Sequence, residues 1–209
     1  FNLGLRTNDD PRSVDANRKQ LRDLLPQDPK GLRQVHGAQV VDADRLTGTP
    51  EADASLARAM GTVCTVMIAD CLPVLFCDER GEYVAAAHAG WRGLAGGVIE
   101  NTVAALGAAG AAPHELLAYL GPAIGPSAFE VGSDVRDAFA GRAPDATQAF
   151  RPGVPGKWYA DLFLLARHSL GPRANAGDFL VVDMQGRKVS GDGAMPGEYP
   201  IHLEILRAR

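Results

Sequence analysis

Three apolar runs crowded into residues 62–88 constrain this chain more than any other feature. Residues 62–69 (TVCTVMIA), 72–77 (LPVLFC) and 82–88 (EYVAAAH) each have the length and composition of a buried strand. Between the last two lies Asp78-Glu79-Arg80-Gly81, a polar turn ending in glycine. If that turn closes a hairpin, Cys77 pairs with Glu82, and stepping back along both strands sets Cys71 opposite His88. Directly opposed side chains have Cβ atoms roughly 4.5–5.5 Å apart, close enough for one metal or one proton to join thiol and imidazole. Pro73 has no N–H to give a ladder, which predicts an edge strand or a bulge there.

The rest of the chain alternates helix and strand signals. Asp10-Pro11 opens a helix over 11–25, with Val14, Arg18, Leu21 and Leu25 at helical spacing. Residues 32–41 predict a bent strand or strand pair broken at His36-Gly37, and 42–61 a loop with one helical turn. A helix is expected from Trp91 to Leu106, stopped by Gly107, then a short buried strand at 116–120 and a helix over 133–139. Residues 141–157 predict a surface loop, Lys157 to Leu170 an amphipathic helix, and 179–183 and 199–206 two closing strands. Hairpin-linked strands with interspersed helices predict an α+β layered sandwich, with mixed β-sheets and flanking helices.

Composition narrows the function class. The 209 residues are 46% apolar and 22% charged, ordinary for a globular protein, and no composition break divides residues 1–209 into more than a single domain. The net charge of −4 with no basic stripe argues against nucleic-acid binding. No apolar run approaches the roughly 18–20 residues that span a bilayer, so no membrane partner is expected. No secretory leader is visible, and the opening residue Phe1 leads to the expectation of a few native residues ahead of it. Three cysteines are too few and too odd for a disulfide scaffold; a cytoplasmic protein is expected, with Cys64 and Cys77 as small buried hydrophobes.

Chemistry concentrates in a few residues. His88-Ala89-Gly90-Trp91-Arg92-Gly93 ends a strand and starts a helix, where backbone N–H groups and Arg92 offer an anion site; its plain alternative is a tight turn with Trp91 as filler. His36, Cys71 and His88 make a ligand set for a catalytic zinc with one open position. The same groups also suit a metal-free Cys–His nucleophile. His36 alone carries no ligand signature. Asp70 either orients a ligand, acts as a base, or caps a turn. Glu130, after the rigid Gly121–Gly125 loop, either contacts a substrate hydroxyl or solvates its loop. His114, His168 and His202 are assigned to structure or surface.

Taken in order, Asn2-Leu3-Gly4-Leu5, Asn17-Arg18, Gln34-Val35-His36-Gly37, Ala69-Asp70-Cys71-Leu72-Pro73, His88 to Gly93, Gly121-Pro122-Ala123-Ile124-Gly125 and Glu130-Val131-Gly132 resemble the zinc-dependent purine nucleoside phosphorylase family. Its older label is multicopper polyphenol oxidase, or laccase-domain protein. The resemblance covers roughly residues 2–165. It implies an α+β layered sandwich, a metal held by His36, Cys71 and His88, and purine nucleosides with phosphate as small-molecule partners. The implied reactions are phosphorolysis of adenosine and related nucleosides, and adenosine deamination. The copper of the older label is disfavoured, because a multicopper set needs many more than the five histidines present.

The C-terminal part departs from that pattern. Relatives usually carry a Cys-Thr pair, a Phe-Ser-aromatic-Arg-Arg-Asp segment and a Thr-Gly-Arg. Here Val181-Val182-Asp183-Met184 and Lys188 to Met195 stand instead, with Ser190 alone matching. The departure bears on phosphorolysis more than on metal binding. On the leading expectation Asp70, Cys71, His88 and Arg92 are catalytic, and Glu130 and Arg92 bind substrate. The rivals are a Cys71–His88 hydrolase or deamidase without metal, and a non-catalytic partner protein with a degraded site.

Overall fold

The computed structural model describes residues 1–5, 7–142, 145–171, 181–182, 188–190 and 205–207. Helix α1 (Pro11–Asp23) starts where the sequence places it: the Asp10 carboxylate accepts the Arg12 N–H, and Pro11 fills the first turn. Val14 buries its face of α1, and the Arg18 guanidinium donates to the Leu3 carbonyl at 2.8 Å. Strands β1 (Val40–Asp42), β2 (Ala54–Ala57), β3 (Val63–Thr65), β4 (Leu72–Asp78) and β5 (Val84–Ala89) follow. Then come α2 (Trp91–Gly96), α3 (Val98–Ala109), β6 (Leu116–Leu120), β7 (Glu130–Gly132), α4 (Ser133–Phe139), β8 (Phe150–Pro152), β9 (Lys157–Ala160) and α5 (Leu162–Leu170). Short strands β10 (Val181–Val182), β11 (Lys188–Ser190) and β12 (Ile205–Arg207) end the described chain.

The main sheet has the order β1-β2-β5-β4-β6, with β1 and β2 parallel and the other pairs antiparallel. It is mixed, and helices pack on it, as the α+β expectation requires. Alternation along β4 sorts the core into two layers. Leu72, Val74 and Phe76 join Leu94, Val98, Ile99, Leu106 and Leu162 on the helical face. Leu75 joins Val84, Ala86, Cys64 and Val66 on the other. Cys64 is fully buried, and that burial pushes its thiol up to about 12, in keeping with a packing role. Cys77 is half-buried, and His114 is exposed. Against the second face lie β3 and β12, which pair antiparallel. A small sheet of order β7-β9-β8 stands apart from the main one.

Several expectations are corrected. The hairpin pairs Cys77 with Val84, not Glu82. Asp78 belongs to the strand: its N–H donates to the Tyr83 carbonyl at 3.1 Å, and its carboxylate accepts the Tyr83 N–H at 2.8 Å. The polar loop is therefore Glu79–Glu82, and the register slips by two, which sets Pro73 opposite His88. Nor is β4 an edge strand, since β5 and β6 flank it. The Pro73 carbonyl accepts from Gly121, so the missing N–H also points to the β6 side, just ahead of the ladder that starts at Val74–Leu120. No donor is lost from the β5 pairing.

The expected loop 42–61 holds a short 3-10 turn at Ala43–Arg45 and also β2, buried along its whole length. The single helix over 91–106 is two, broken at Gly97 with φ +91°, and α3 runs through Gly107 to Ala109, with Gly110 as its C-cap. Gly110 has φ +116°, and a Cβ there would lie 2.6 Å from the Tyr83 hydroxyl. Residues 157–160 form β9, not helix, and α5 starts only after Asp161, whose carboxylate accepts the Leu164 N–H at 2.9 Å. Part of the expected 141–157 loop is β8. Of the two closing strands, β10 falls inside its expected range, and β12 overlaps the other and runs one residue past it to Arg207; His202 and the rest of those ranges lie outside the described residues.

Candidate metal centre

Four distant stretches of chain meet at one end of the main sheet. His88 sits in β5, Cys71 immediately before β4, Asp53 immediately before β2, and His36 in a loop ahead of β1. The corrected register turns Cys71 toward Gly90, and the slip of two keeps it on the same face as His88. A Cβ at Gly90 would lie 2.7 Å from the Cys71 Sγ and 3.3 Å from the His36 Cδ2. This glycine is therefore the space the thiol occupies. At Gly93 a Cβ would come within 3.0 Å of the Gly37 carbonyl oxygen and 3.2 Å of that of His88, so the second glycine of the motif lets α2 approach the His36 loop.

The ligand atoms of His36, Cys71 and His88 all lie within 4.8 Å of one another. The two imidazoles meet edge to face, ring centroids 4.8 Å apart. His88 is buried, Cys71 half-buried and His36 exposed, so the cluster opens on its His36 side. His36 has φ +60°, the described non-glycine residue with a left-handed backbone. That conformation is held by Asp53, whose carboxylate accepts the N–H groups of Val35 (3.1 Å), His36 (2.9 Å) and Gly37 (2.7 Å). Gln34 ties the same loop to the approach of β4: its amide donates to the Met67 carbonyl at 2.8 Å and accepts the Met67 N–H at 2.7 Å.

Asp53 also bonds His88 Nδ1 at 2.8 Å, leaving Nε2 of that ring for a metal. Sequence reasoning missed this residue; an acidic side chain in the Ala-rich 52–57 stretch, followed by a buried strand, is the signal that was there to find. Burial pushes the Asp53 carboxyl up, but bonds from His88, Gly37 and Val35 outweigh it and hold the group below its ordinary value. Burial likewise lowers the His88 pKa, against the opposing pull of Asp53, which favours the neutral imidazole that ligates metals. The Cys71 thiol is pushed up by burial and by Asp70 and Asp53, with Arg92 opposing. A free thiolate nucleophile needs the reverse shift.

The other expected residues are less closely held. Asp70 is exposed, and its backbone carbonyl accepts the Ile124 N–H at 3.0 Å, fastening the Gly121–Gly125 loop beside Cys71. Arg92 is exposed with its guanidinium 4.3 Å from the Trp91 ring centroid. The helix it opens has six residues and no side-chain cap. Glu130 is exposed at the head of β7, where it pairs with Tyr159. The donor set of one thiol and two imidazoles, with a carboxylate behind one ring, fits a zinc-type centre with an open position. Among the described residues it is the one cluster of three or more such groups, and a multicopper arrangement finds no further histidine cluster there. Among them, too, no helix is long and apolar enough to cross a membrane.

Comparison with known proteins agrees with the motifs. The family model described as multi-copper polyphenol oxidoreductase laccase matches residues 1–174; the atypical stretch from Asp183 onward lies beyond it. A purine nucleoside phosphorylase of Pseudomonas aeruginosa is 54% identical over 172 residues, covering 82% of this chain and 69% of the relative. The purine nucleoside phosphorylase YfiH of Escherichia coli is 50% identical over 183 residues, covering 85% and 71%. A crystal structure of a Neisseria meningitidis protein superposes with a TM-score of 0.77 at 50% identity, covering 85% of this chain and 72% of that one. The chain belongs to the multi-copper polyphenol oxidoreductase laccase family, and relatives at this level of identity carry the name purine nucleoside phosphorylase.

Proposed function

We propose that this protein is a zinc-dependent purine nucleoside phosphorylase acting on adenosine and related nucleosides, with adenosine deamination as a second reaction. The observation that carries the reading is the convergence of the His36, Cys71 and His88 ligand atoms within 4.8 Å, in a chain about half identical to named phosphorylases. His36, Cys71 and His88 would hold the metal, and Asp53 stands behind His88. When bound, the metal would supply Lewis-acid charge.

The protein groups around it do the rest. Arg92, exposed and stacked on Trp91, is the positive charge that binds and orients phosphate. Asp70, beside Cys71, takes the proton that the phosphate gives up and passes it on to the leaving purine. Glu130 accepts a hydrogen bond from a substrate hydroxyl. In phosphorolysis a phosphate oxygen bonds to the sugar carbon that carries the base, the carbon–nitrogen bond breaks, and its electron pair leaves with the purine nitrogen, which takes up the proton released by the phosphate. Two imidazoles converge on the Cys71 thiol, not one, a set that suits a metal centre better than a Cys–His pair.

Replacing Cys71→Ala should remove bound zinc and turnover together while the circular dichroism spectrum stays that of the native fold. Full turnover by a zinc-free, folded variant would overturn the proposal.

A further inference from the structure

We propose that Asp53 is the positioning residue of the centre: one carboxylate sets the tautomer of His88 and the backbone of the His36 turn. The proposal rests on the metal reading given above. Asp53 is fully buried, and a carboxylate with no route to water is costly unless every lone pair is used. Here they are used asymmetrically. Oδ1 faces His88 Nδ1 at 2.8 Å and the His36 N–H at 2.9 Å, while Oδ2 faces the N–H groups of Gly37 at 2.7 Å and Val35 at 3.1 Å. The backbone is anchored as well, since the Asp53 carbonyl accepts the His88 N–H at 2.7 Å and its own N–H donates to Gln39 at 3.1 Å.

An ionised carboxylate only accepts hydrogen bonds. The hydrogen between it and His88 therefore belongs to the imidazole Nδ1, and the ring's lone pair is left at Nε2. The same group donates nothing to the turn, so three consecutive N–H groups can converge on it and hold His36 in its left-handed conformation. The exposed ligand and the buried ligand are thereby registered against each other by one residue outside the ligand set.

An amide cannot do both tasks. In Asp53→Asn, an NH₂ on the Oδ1 side meets the His36 N–H, and His88 must accept at Nδ1 and carry its proton on Nε2, where it cannot ligate. With the NH₂ on the Oδ2 side, it meets the Val35 and Gly37 N–H groups, and the turn that presents His36 loses its hold. Either placement removes one imidazole from the centre without altering a ligand.

The test compares wild type and Asp53→Asn by long-range proton–nitrogen NMR of the metal-free histidines at mildly alkaline pH. Zinc affinity is then measured by chelator competition well below the melting temperature of each. The expected result is an Nδ1–H His88 in the wild type and a zinc affinity about 10–100-fold weaker in the variant. A shift of His88 to Nε2–H, or altered His36 signals, should accompany that loss. A folded variant with wild-type zinc affinity overturns the proposal, and a lower melting temperature with unchanged affinity does so too, because Asp53 would then be a fold anchor only. Should the variant fail to fold, the wild-type spectrum decides: an Nε2–H tautomer for His88 overturns the proposal, and an Nδ1–H tautomer supports it. If wild type takes up no zinc, the metal reading fails, while the tautomer comparison still judges Asp53.

Discussion

At Gly90 a side chain is excluded by a neighbour's sulfur, not by a strained backbone. Its φ is −63°, a value any residue adopts, yet a Cβ would sit 2.7 Å from the Cys71 Sγ. Gly90→Ala should therefore displace the thiol, with overpacking costing about 1–3 kcal/mol. The expected outcome is a folded variant with lower urea resistance and greatly reduced zinc uptake, read by denaturation and metal analysis. Unchanged zinc binding would show that the thiol does not need this space. His36 makes the complementary point. It stood out only through the family resemblance that Gln34-Val35-His36-Gly37 helps to carry, and its left-handed backbone was not legible, because the carboxylate holding it lies 17 residues away in sequence. Local patterns carry no record of such a partner.

Strands and helices were most legible where the pattern was strong. The β4–β5 hairpin was predicted from composition, and its error of two residues traces to one side chain, Asp78, which reads as a turn residue but is bonded into the strand end. Burial pushes the Asp78 carboxyl up, and the N–H groups of Tyr83, Glu82 and Arg80 outweigh this and hold it below its ordinary value of 3.8. A lowered folded pKa means that the charged form stabilises the native state. That contribution is present above the unfolded value and fades as pH falls through the folded one. Asp78→Ala should cost about 1–3 kcal/mol at neutral pH and flatten the acid limb of a urea-stability profile; an unchanged profile would contradict this role. Strand β2 was illegible for a different reason: Ala-Ser-Leu-Ala has little intrinsic strand preference and is held by burial between β1 and β5. Lys157–Ala160 reads as helix in the sequence because the apolar period of α5 continues back past Asp161, the residue that caps the real start.

Across the whole molecule, the site is the product of topology. Placing β2 and β4 on either side of β5 brings the residues just ahead of both strands to the end of the sheet where His88 lies. The Gln34–Met67 bonds and the Ile124–Asp70 bond then fasten two loops around that end. The layered α+β class and the residues His36, Cys71 and His88 were readable from motifs, whereas their assembly through Asp53 required the sheet order. The family model ends at residue 174, and His36, Asp53, Cys71 and His88 all lie within the matched part.

The most direct test of the account is product analysis of zinc-loaded protein incubated with adenosine, with and without inorganic phosphate. Adenine and ribose 1-phosphate should appear only when phosphate is present, with inosine as a lesser product. No product from a preparation that carries stoichiometric zinc would contradict it.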